Sequence, residues 1–336
     1  MRKFGNYLYT DGTTVSILVP TVSIVIPTYN RSSVLMRAID SVLAQTYENF
    51  EIVVVDDCST DDTVEALEEY DDDRIRYIQH DKNQGACAAR NTGIKQSNGQ
   101  YVAFLDSDDE WDLTKLAKQV DCMENTSDCV GVVYTGYRVK RSDIVELGQV
   151  PSKRGDIHRA QLAKDWVSPT SAVMVKSECF DEVGIFDTGL AARQDYDMWL
   201  RLSYSYEFEY VKEPLVTLHT NRNNRITDNI DARMNAHQIL LKRIRARIVE
   251  FDSITQHQIL SSQYFNIGRY LQRNGQDRRA AKFFILSVAH NIFNFTSWLC
   301  LLLLLLHLNP DSGILLKMKN SVKKIKFKYN RLEING

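Results

Sequence analysis

The sequence lacks the features that mark several large classes of protein. None of its six cysteines forms a CxxC pair or stands at a zinc-type spacing from histidine, so we expect free thiols in a reducing compartment. The formal net charge of −2 provides no basic field, and we expect no nucleic-acid partner. Residues 1–14 have no signal-peptide pattern, so we expect no export.

Length and composition are those of an ordinary globular protein. The chain has 336 residues, of which 44% are hydrophobic and 25% are charged, which fits one large domain or two smaller ones. We predict an N-terminal extension over residues 1–20 and an α/β domain over 21–229. A helical region is predicted over 230–291, and an apolar helix with a basic tail over 292–336.

Short apolar runs alternate with helical patterns in the first third of the chain. This alternation is typical of βαβ units and predicts a mostly parallel sheet. The predicted strands are 22–26, 50–55, 75–78 and 101–105, and the predicted helices are 33–45, 63–70 and 86–97. Beyond residue 130 we predict strands at 130–134, 171–175 and 206–211, a helix at 195–203 and a loop-rich insert near 141–158.

Two acidic clusters follow predicted strands. They are Asp56-Asp57 and the run from Asp106 to Asp109. Ligands of open α/β sheets bind outside the carboxyl ends of the strands. Neighbouring carboxylates resist ionising together unless a positive charge lies between them, and Mg²⁺ is typically held by one or two carboxylates plus substrate phosphates. The sequence therefore predicts a metal–diphosphate site.

The C-terminal region combines an apolar segment with a basic one. Residues 292–308 are the most apolar stretch, but these 17 residues include Asn294 and Ser297, and a spanning helix needs about 20 apolar residues. Residues 317–331 contain seven lysines or arginines and no acidic residue. This pairing predicts an anchor on an anionic leaflet, so we expect peripheral attachment at the cytoplasmic face. The alternative is a buried helix with a solvated tail.

Five motifs together resemble those of family 2 glycosyltransferases. In chain order they are VSIVIPTYNR (22–31), VDDCSTD (55–61), GACAARNTG (85–93), LDSDD followed by Trp111 (105–111), and QDYDMWLRL (194–202). Each motif alone is weak, but their order and spacing all match over roughly residues 20–225. The resemblance implies a GT-A fold, in which a Rossmann-like nucleotide-binding half and an acceptor-binding half share one sheet.

The resemblance also implies an activity. It is the inverting, metal-dependent transfer of one sugar from a nucleotide-sugar, UDP-linked by expectation, to a hydroxyl of a glycan or lipid-linked acceptor. The Gln-x-x-Arg-Trp motif of processive members is absent after Asp195, which predicts a single addition per encounter. The alternatives are a nucleotidyltransferase, which would need a Gly-rich loop with lysine after the first strand, and a non-catalytic nucleotide-sugar-binding protein. No G-x-G-x-x-G opens the first helix, which disfavours a dehydrogenase.

Roles on the donor side follow from the matching positions. By resemblance Asp57 accepts the uracil N3–H, since a carboxylate is an acceptor only, while Asp56 caps the following turn. The base and ribose pocket is lined by Pro27, Tyr29 and Arg31, although Tyr29 has a packing role as its alternative.

The metal ligands and diphosphate contacts come from two further motifs. The resemblance implies that Asp108 binds Mg²⁺ or Mn²⁺ and that Asp106 holds the ribose or a metal-bound water. Arg90 would reach the diphosphate, because arginine forks match phosphate oxygens, or else forms a structural salt bridge. Asp109 either joins this site or caps a helix beginning near Asp112.

Asp195 is the expected catalytic base, since inverting transfer needs a carboxylate near the acceptor hydroxyl. Many family members have Glu-Asp where this chain has Gln194-Asp195. Asp197 is the rival base, with pairing to Arg201 as its alternative. Trp199 either floors the acceptor site or packs in the core. His219 either faces the metal and diphosphate or has a structural role.

Overall fold

The computed structural model describes residues 20–220 and 229–305, together with three short strands within the first nineteen residues. These strands form an antiparallel sheet of their own. They are β1 (Lys3–Phe4), β2 (Tyr7–Thr10) and β3 (Thr13–Ser16). The predicted basic tail at 317–331 lies outside the described residues.

The first half of the main sheet is a parallel βα repeat. Its strands lie in the order β6-β5-β4-β7 and pair in parallel, as the alternating pattern predicts. The elements are β4 (Val22–Thr28), α1 (Ser32–Leu43), β5 (Phe50–Asp56), α2 (Thr63–Glu68), β6 (Ile75–Gln79), α3 (Ala86–Gln96) and β7 (Tyr101–Phe104). Every residue of β4, β5 and β7 is buried, as expected for strands covered on both faces.

The sheet continues with mixed strand directions beyond β7. The order is β7-β11-β9-β12-β8, with β10 paired to β9. The elements are β8 (Asp109–Trp111), α4 (Lys115–Glu124), β9 (Val130–Arg141), β10 (Ile144–Gln149), α5 (His158–Ala163), β11 (Val173–Lys176), α6 (Cys179–Val183), α7 (Gln194–Ser205) and β12 (Glu207–His219). The prediction of a loop-rich insert near 141–158 was wrong in part. It contains β10, whose side chains are almost all exposed and so show no buried alternation.

The remaining described chain is helical, as predicted for residues 230–291. The helices are α8 (Ile230–Arg247), α9 (Ser253–Arg273), α10 (Asp277–His290) and α11 (Phe295–Leu305). Asp252 caps α9 by accepting a hydrogen bond from the Thr255 backbone N–H, and Gly275 turns the chain with φ 71°. The compact units are 1–240 and 241–336, so they part within α8, whereas the predicted boundary at 229 precedes it.

Close packing of α3 on the sheet fixes the edge where the motifs lie. A Cβ on Gly93 would lie 2.2 Å from Val25 Cγ1, so only glycine lets the helix approach β4 this closely. The register places Thr28 of β4 beside Asp56 of β5, and Val25 beside Phe104 of β7. The carboxyl ends of the three strands therefore meet at one edge, and the first, second and fourth motif loops leave from it.

Candidate active site

Asp56 and Asp57 have different environments at the end of β5. The Asp56 carboxylate accepts hydrogen bonds from the Ser59 backbone N–H and from the hydroxyls of Ser59 and Tyr77. It therefore holds the following turn, in which Cys58 has a φ of 70°, as the prediction for Asp56 describes. Its side chain is fully buried.

Asp57 joins β5 to the start of α3. Its Oδ1 lies 2.8 Å from His80 Nδ1 and accepts the Gln84 backbone N–H, and its Oδ2 accepts the Gly85 N–H at 2.6 Å. A carboxylate offers about four lone-pair positions for hydrogen bonds, and these partners occupy three of them. One position is left for a donor such as the uracil N3–H, and the uracil role of Asp57 stays a prediction.

The first motif places Pro27, Tyr29 and Arg31 in three situations. Pro27 is buried within β4, whereas Tyr29 is 44% exposed. Arg31 Nη1 lies 2.9 Å from Asp108 Oδ2. Arg31 thus links the predicted base and ribose pocket to the predicted metal ligand. Their contacts with a nucleotide stay predictions.

The DxD carboxylates each face an arginine. Asp106 pairs with Arg90 of α3 and Asp108 pairs with Arg31. Burial lowers the pKa of Arg90, but the charge and hydrogen bond of Asp106, together with smaller contributions from Cys87 and Asp195, raise it overall. Among the residues described, Arg90 Nε has no hydrogen-bond partner. The predicted salt bridge is therefore present, and the contact of Arg90 with a diphosphate stays a prediction.

Asp109 is buried next to the DxD pair and is no helix cap. It begins β8 and accepts a hydrogen bond from Ser171 Oγ, while α4 begins only at Lys115. The cap role was wrong because the chain forms a strand before the helix. Burial, followed by the charges of Asp106 and Asp108, raises the pKa of Asp109 well above its ordinary value.

These carboxylates suit a hard divalent cation. Within residues 20–220 and 229–305 no group of three or more His, Cys, Asp or Glu side chains is arranged to hold a metal. Mg²⁺ needs only one or two carboxylates when substrate phosphates complete its shell. Burial first, and then the charges of Asp106 and Asp108, raise the pKa of Asp109, and a cation would balance the charges of these neighbouring carboxylates. The donor set of Asp106 and Asp108 therefore fits the predicted Mg²⁺ or Mn²⁺.

Asp195 lies in the first turn of α7, where its Oδ1 accepts its neighbour's backbone N–H, from Tyr196, at 2.8 Å. After Asp106, and together with Cys87, the Asp195 carboxylate raises the pKa of Arg90 against the lowering effect of burial. The charges of Asp106 and Asp195 thus both act on the Arg90 guanidinium. The structure brings the predicted base and the DxD loop within electrostatic range of each other.

The third motif also ties this region to α3. The Asn91 side chain donates to the Phe186 carbonyl and accepts the Phe186 N–H, both at 2.8 Å. This two-bond clamp fixes the segment that leads into α7, seven residues before Arg193 by sequence number. The sequence prediction assigned Asn91 no role, although the motif contains it.

The remaining candidate residues, Asp197, Trp199 and His219, contact other side chains of the protein. Asp197 is buried and accepts the Arg201 Nε–H at 3.0 Å, so the i,i+4 pair is present but not on the surface. Trp199 is fully buried against Phe104 and Phe186, which is the predicted core alternative. His219 Nε2 lies 2.9 Å from Glu110 Oε2 beside the DxD loop, and its role toward a metal stays a prediction.

Sequence reasoning missed two charged residues near Asp195. Asp165 Oδ2 lies 3.6 Å from Arg193 Nη2. Burial, opposed by Arg193 and supported by the charge of Asp195, raises the pKa of Asp165 to about 7. Arg193 adjoins the fifth motif, but a single sequence carries no signal that pairs it with Asp165, because their contact is tertiary.

Comparison with known proteins identifies the family. Residues 23–182 match the family described as glycosyl transferase family 2. The chain is 32% identical over 212 residues to the putative teichuronic acid biosynthesis glycosyltransferase TuaG of Bacillus subtilis, covering 62% of this chain and 82% of TuaG. This chain belongs to glycosyltransferase family 2. It is therefore a glycosyltransferase, and the family resemblance of its five motifs is confirmed.

Two further relatives extend the comparison. The putative colanic acid biosynthesis glycosyl transferase WcaA of Escherichia coli is 37% identical over 217 residues, covering 60% of this chain and 73% of WcaA. The E. coli UDP-Glc:alpha-D-GlcNAc-diphosphoundecaprenol beta-1,3-glucosyltransferase WfaP is 35% identical over 183 residues, covering 54% of this chain and 69% of WfaP. Both relatives are named as glycosyltransferases of glycan synthesis.

Solved structures agree on the fold. Residues 1–349 of S. aureus TarS in complex with UDP-GlcNAc superpose with a TM-score of 0.59 at 19% identity, covering 80% of this chain and 81% of that one. The mannosyltransferase PcManGT from Pyrobaculum calidifontis, in complex with GDP-Man and Mn²⁺, gives a TM-score of 0.53, also at 19% identity, over 85% of each chain. The predicted GT-A fold with a C-terminal helical extension is confirmed.

Proposed function

We propose that this glycosyltransferase moves one sugar, with inversion, from a UDP-sugar to a hydroxyl of a glycan or lipid-linked acceptor. The observation that carries the proposal is Arg90, which pairs with Asp106 and feels the charge of Asp195. Arg90 therefore contacts the carboxylate of Asp106 and lies within electrostatic range of that of Asp195.

The chemistry follows from the placement of these groups. Asp195 takes the proton of the acceptor hydroxyl as its oxygen attacks the anomeric carbon. The bond from that carbon to the diphosphate breaks, and the Arg90 guanidinium stabilises the charge that grows on the departing oxygens. The new bond forms opposite the one that breaks, so no covalent enzyme intermediate is needed.

Asp108 and Asp106 are the residues that would hold Mg²⁺ or Mn²⁺. A bound divalent cation supplies charge stabilisation to the leaving diphosphate. Arg31 would then release Asp108 and remain available to the nucleotide. Arg90 would keep Asp106 in position, and Asp109 beneath them would stay fixed by Ser171.

Relatives support the proposed acceptor. TuaG and WcaA are named for teichuronic and colanic acid biosynthesis, and WfaP for a diphosphoundecaprenol-linked acceptor. A lipid-linked or polymeric glycan hydroxyl is the acceptor class that these names share.

Release of UDP from a panel of UDP- and GDP-sugars tests this proposal. We expect the full-length protein to hydrolyse at least one UDP-sugar slowly in Mn²⁺ or Mg²⁺. EDTA should stop the reaction, and either cation should restore it. Asp181→Asn is a matched control, because Asp181 is exposed on α6 outside the site. Turnover that ignores EDTA would contradict metal dependence, and turnover of GDP-sugars alone would contradict the UDP specificity.

The C-terminal unit supports a membrane partner through the polarity of its helices. Polar side chains lie inside, where Ser261, Ser287 and Ser297 are buried and hydrogen-bonded to one another or to Asn294. Apolar side chains such as Ile267, Leu271 and Phe284 also lie inside, but further apolar side chains are exposed. The exposed ones on and near α11 are Ile292, Phe293, Phe295, Trp298 and Leu302.

A helix whose exposed face is apolar, as in α11, suits a nonpolar surface better than water. No helix among the described residues is long and apolar enough to cross a bilayer. Surface binding of α11, helped by the seven basic residues of segment 317–331, is therefore the proposed mode. Each such charge adds about 1 kcal/mol near an anionic surface.

Flotation with vesicles containing phosphatidylglycerol tests the membrane partner. The full chain should float, and a Phe293→Ser/Phe295→Ser variant should stay in solution. Val249→Ser is the matched control, because it removes an equally exposed apolar side chain from the turn before α9. Loss of flotation in the control as well, or flotation of all three proteins, would contradict a role for α11.

A further inference from the structure

A ring of side-chain contacts surrounds the residue that precedes Gln194-Asp195. Gln161 Nε2 donates to Asp165 Oδ1 at 3.2 Å, and Asp165 Oδ2 pairs with Arg193 at 3.6 Å. The Arg193 guanidinium lies 4.5 Å from the centre of the Tyr196 ring. The Tyr196 hydroxyl then donates to the Gln161 carbonyl at 2.7 Å. These contacts close a loop through Asp165, Arg193, Tyr196 and Gln161, which we term the Arg193 ring.

Arg193 adopts a backbone conformation that its side chain does not favour. Its φ of 59° and ψ of 30° are in the left-handed region, which is uncommon for any residue other than glycine. Such conformations persist only where surrounding structure imposes them, and they cluster at functional sites. The left-handed residue redirects the chain into α7, so it sets where Asp195 emerges.

The ring is well placed to impose that conformation. Gln161 and Tyr196 are almost completely buried, and the side chains of Asp165 and Arg193 are each 17% exposed. Opposite charges paired away from water attract more strongly than at the surface. The Trp166 backbone N–H donates to Gln161 Oε1, so the same glutamine also fixes the chain next to Asp165.

Asp165 belongs to the surroundings of Asp195. The charge of Asp195 contributes to raising the pKa of Asp165, after the effect of burial. The two carboxylates therefore lie within electrostatic range of each other, and Arg193 carries the positive charge beside Asp165. The side chain of Asp165 pairs with Arg193. No contact with substrate is predicted for Asp165.

We propose that Asp165 is a positioning residue for the base Asp195 and that it acts through Arg193. The inference rests on the proposed role of Asp195. Breaking the ring frees Arg193 to leave the left-handed region, which moves the first turn of α7 and misplaces the base. Displacement of a reacting group by about 1 Å can cost up to 10²-fold in rate.

Hydrogen–deuterium exchange on the full-length protein tests the structural step. In Asp165→Asn, we expect the amides of Tyr196 and Asp197 in the first turn of α7 to exchange about tenfold faster than in the wild type. Asp165→Glu keeps the charge and should restore protection. Unchanged exchange in Asp165→Asn would overturn the proposal. Should Asp165→Asn fail to fold, Arg193→Gln and Asp165→Glu provide the same comparison.

Hydrolysis of the best UDP-sugar in the panel tests the consequence. Asp165→Asn should lower kcat about 10- to 100-fold with an unchanged KM for the donor, because the donor side is intact. The Asp165→Asn/Arg193→Gln double variant should be no slower than Arg193→Gln alone. A raised KM with normal kcat, or additive losses in the double variant, would overturn the proposal.

Asp195→Asn measured in parallel separates the two hypotheses. If Asp195→Asn keeps full activity, the base assignment fails whatever Asp165→Asn does. If Asp195→Asn is inactive while Asp165→Asn matches the wild type in both exchange and kcat, only the positioning role of Asp165 fails.

Discussion

The two sides of the site are held by different means. On the donor side, the motif loops begin where the buried parallel strands β4, β5 and β7 end, and neighbouring backbone fixes Asp57. On the acceptor side, Asp195 follows a left-handed arginine that side chains hold in place. Sheet geometry therefore defines the donor side, whereas tertiary side-chain contacts define the acceptor side.

The carboxylates on the two sides also differ in how their negative charges are balanced. Donor-side carboxylates have arginine partners at Asp106 and Asp108. On the acceptor side, Asp165 has a pKa of about 7, mainly because of burial. The arrangement of the donor side fits the proposed cation and diphosphate, while the acceptor side contains Asp165, whose pKa burial raises to about 7.

Removing the proposed base Asp195 tests the acceptor side with the largest expected effect. Asp195→Asn keeps the shape of the side chain but cannot take a proton, so turnover of the donor should fall about 10²–10⁴-fold. Steady-state assays of UDP release measure it, with Asp181→Asn as the control. Wild-type turnover in Asp195→Asn would show that the base lies elsewhere.

Removing the proposed metal ligand Asp108 tests the donor side. Asp108→Asn should lower turnover about 10²–10³-fold, because a group that stabilises charge in the transition state is weakened. Raising the Mn²⁺ concentration should recover part of the loss, which a metal titration of the rate would detect. A loss that no concentration of cation relieves would argue against a ligand role.

Gly93 tests whether backbone packing defines the donor side. Gly93→Ala should destabilise the protein by about 1–3 kcal/mol, since the new methyl group would overlap Val25. Denaturant unfolding measures the change. Val25→Ala in the same chain opens the space, so the double variant should lose less than the sum of the two single losses. Strict additivity would contradict the close contact.

His237 tests the electrostatics next to the Arg193 ring. Burial, then the charges of Arg193 and Arg233, lowers its pKa from 6.5 to about 2. The unfolded chain therefore takes up a proton below pH 6.5 that the folded protein refuses, and stability falls as the pH falls.

Relative to His237→Gln, the wild type should lose about 1 kcal/mol between pH 7.5 and 5.5. The opposite contribution of Asp165, whose pKa is raised, occurs in both proteins and cancels in the difference. Denaturant unfolding at the two pH values measures it. Parallel stability curves for the two proteins would contradict a buried neutral histidine.

The sequence predicts most of the donor side. Alternation of apolar runs and helices predicts the parallel strands, and the carboxyl ends of parallel strands share an edge, so Asp57 and Asp106 to Asp109 could be brought together in advance. The details needed side-chain contacts. Nothing in the sequence shows that Asp109 begins a strand or that Arg31 pairs with Asp108.

The acceptor side was less predictable for a physical reason. Asp195 is recognisable from its motif, but Asp165 lies far from it in the chain and meets it only through tertiary packing. Trp199 could be core or surface on sequence alone, and burial beside Phe104 decides it. Local patterns predict elements, whereas contacts between distant segments need the fold.

Calorimetric titration of UDP with Mn²⁺ into Asp195→Asn and Asp108→Asn tests the separation of the two sides most directly. We predict that Asp195→Asn binds UDP as tightly as the wild type and that Asp108→Asn binds it about tenfold more weakly or worse. Loss of UDP binding in Asp195→Asn, or wild-type affinity in Asp108→Asn, would contradict the assignment of the diphosphate to one side and the base to the other.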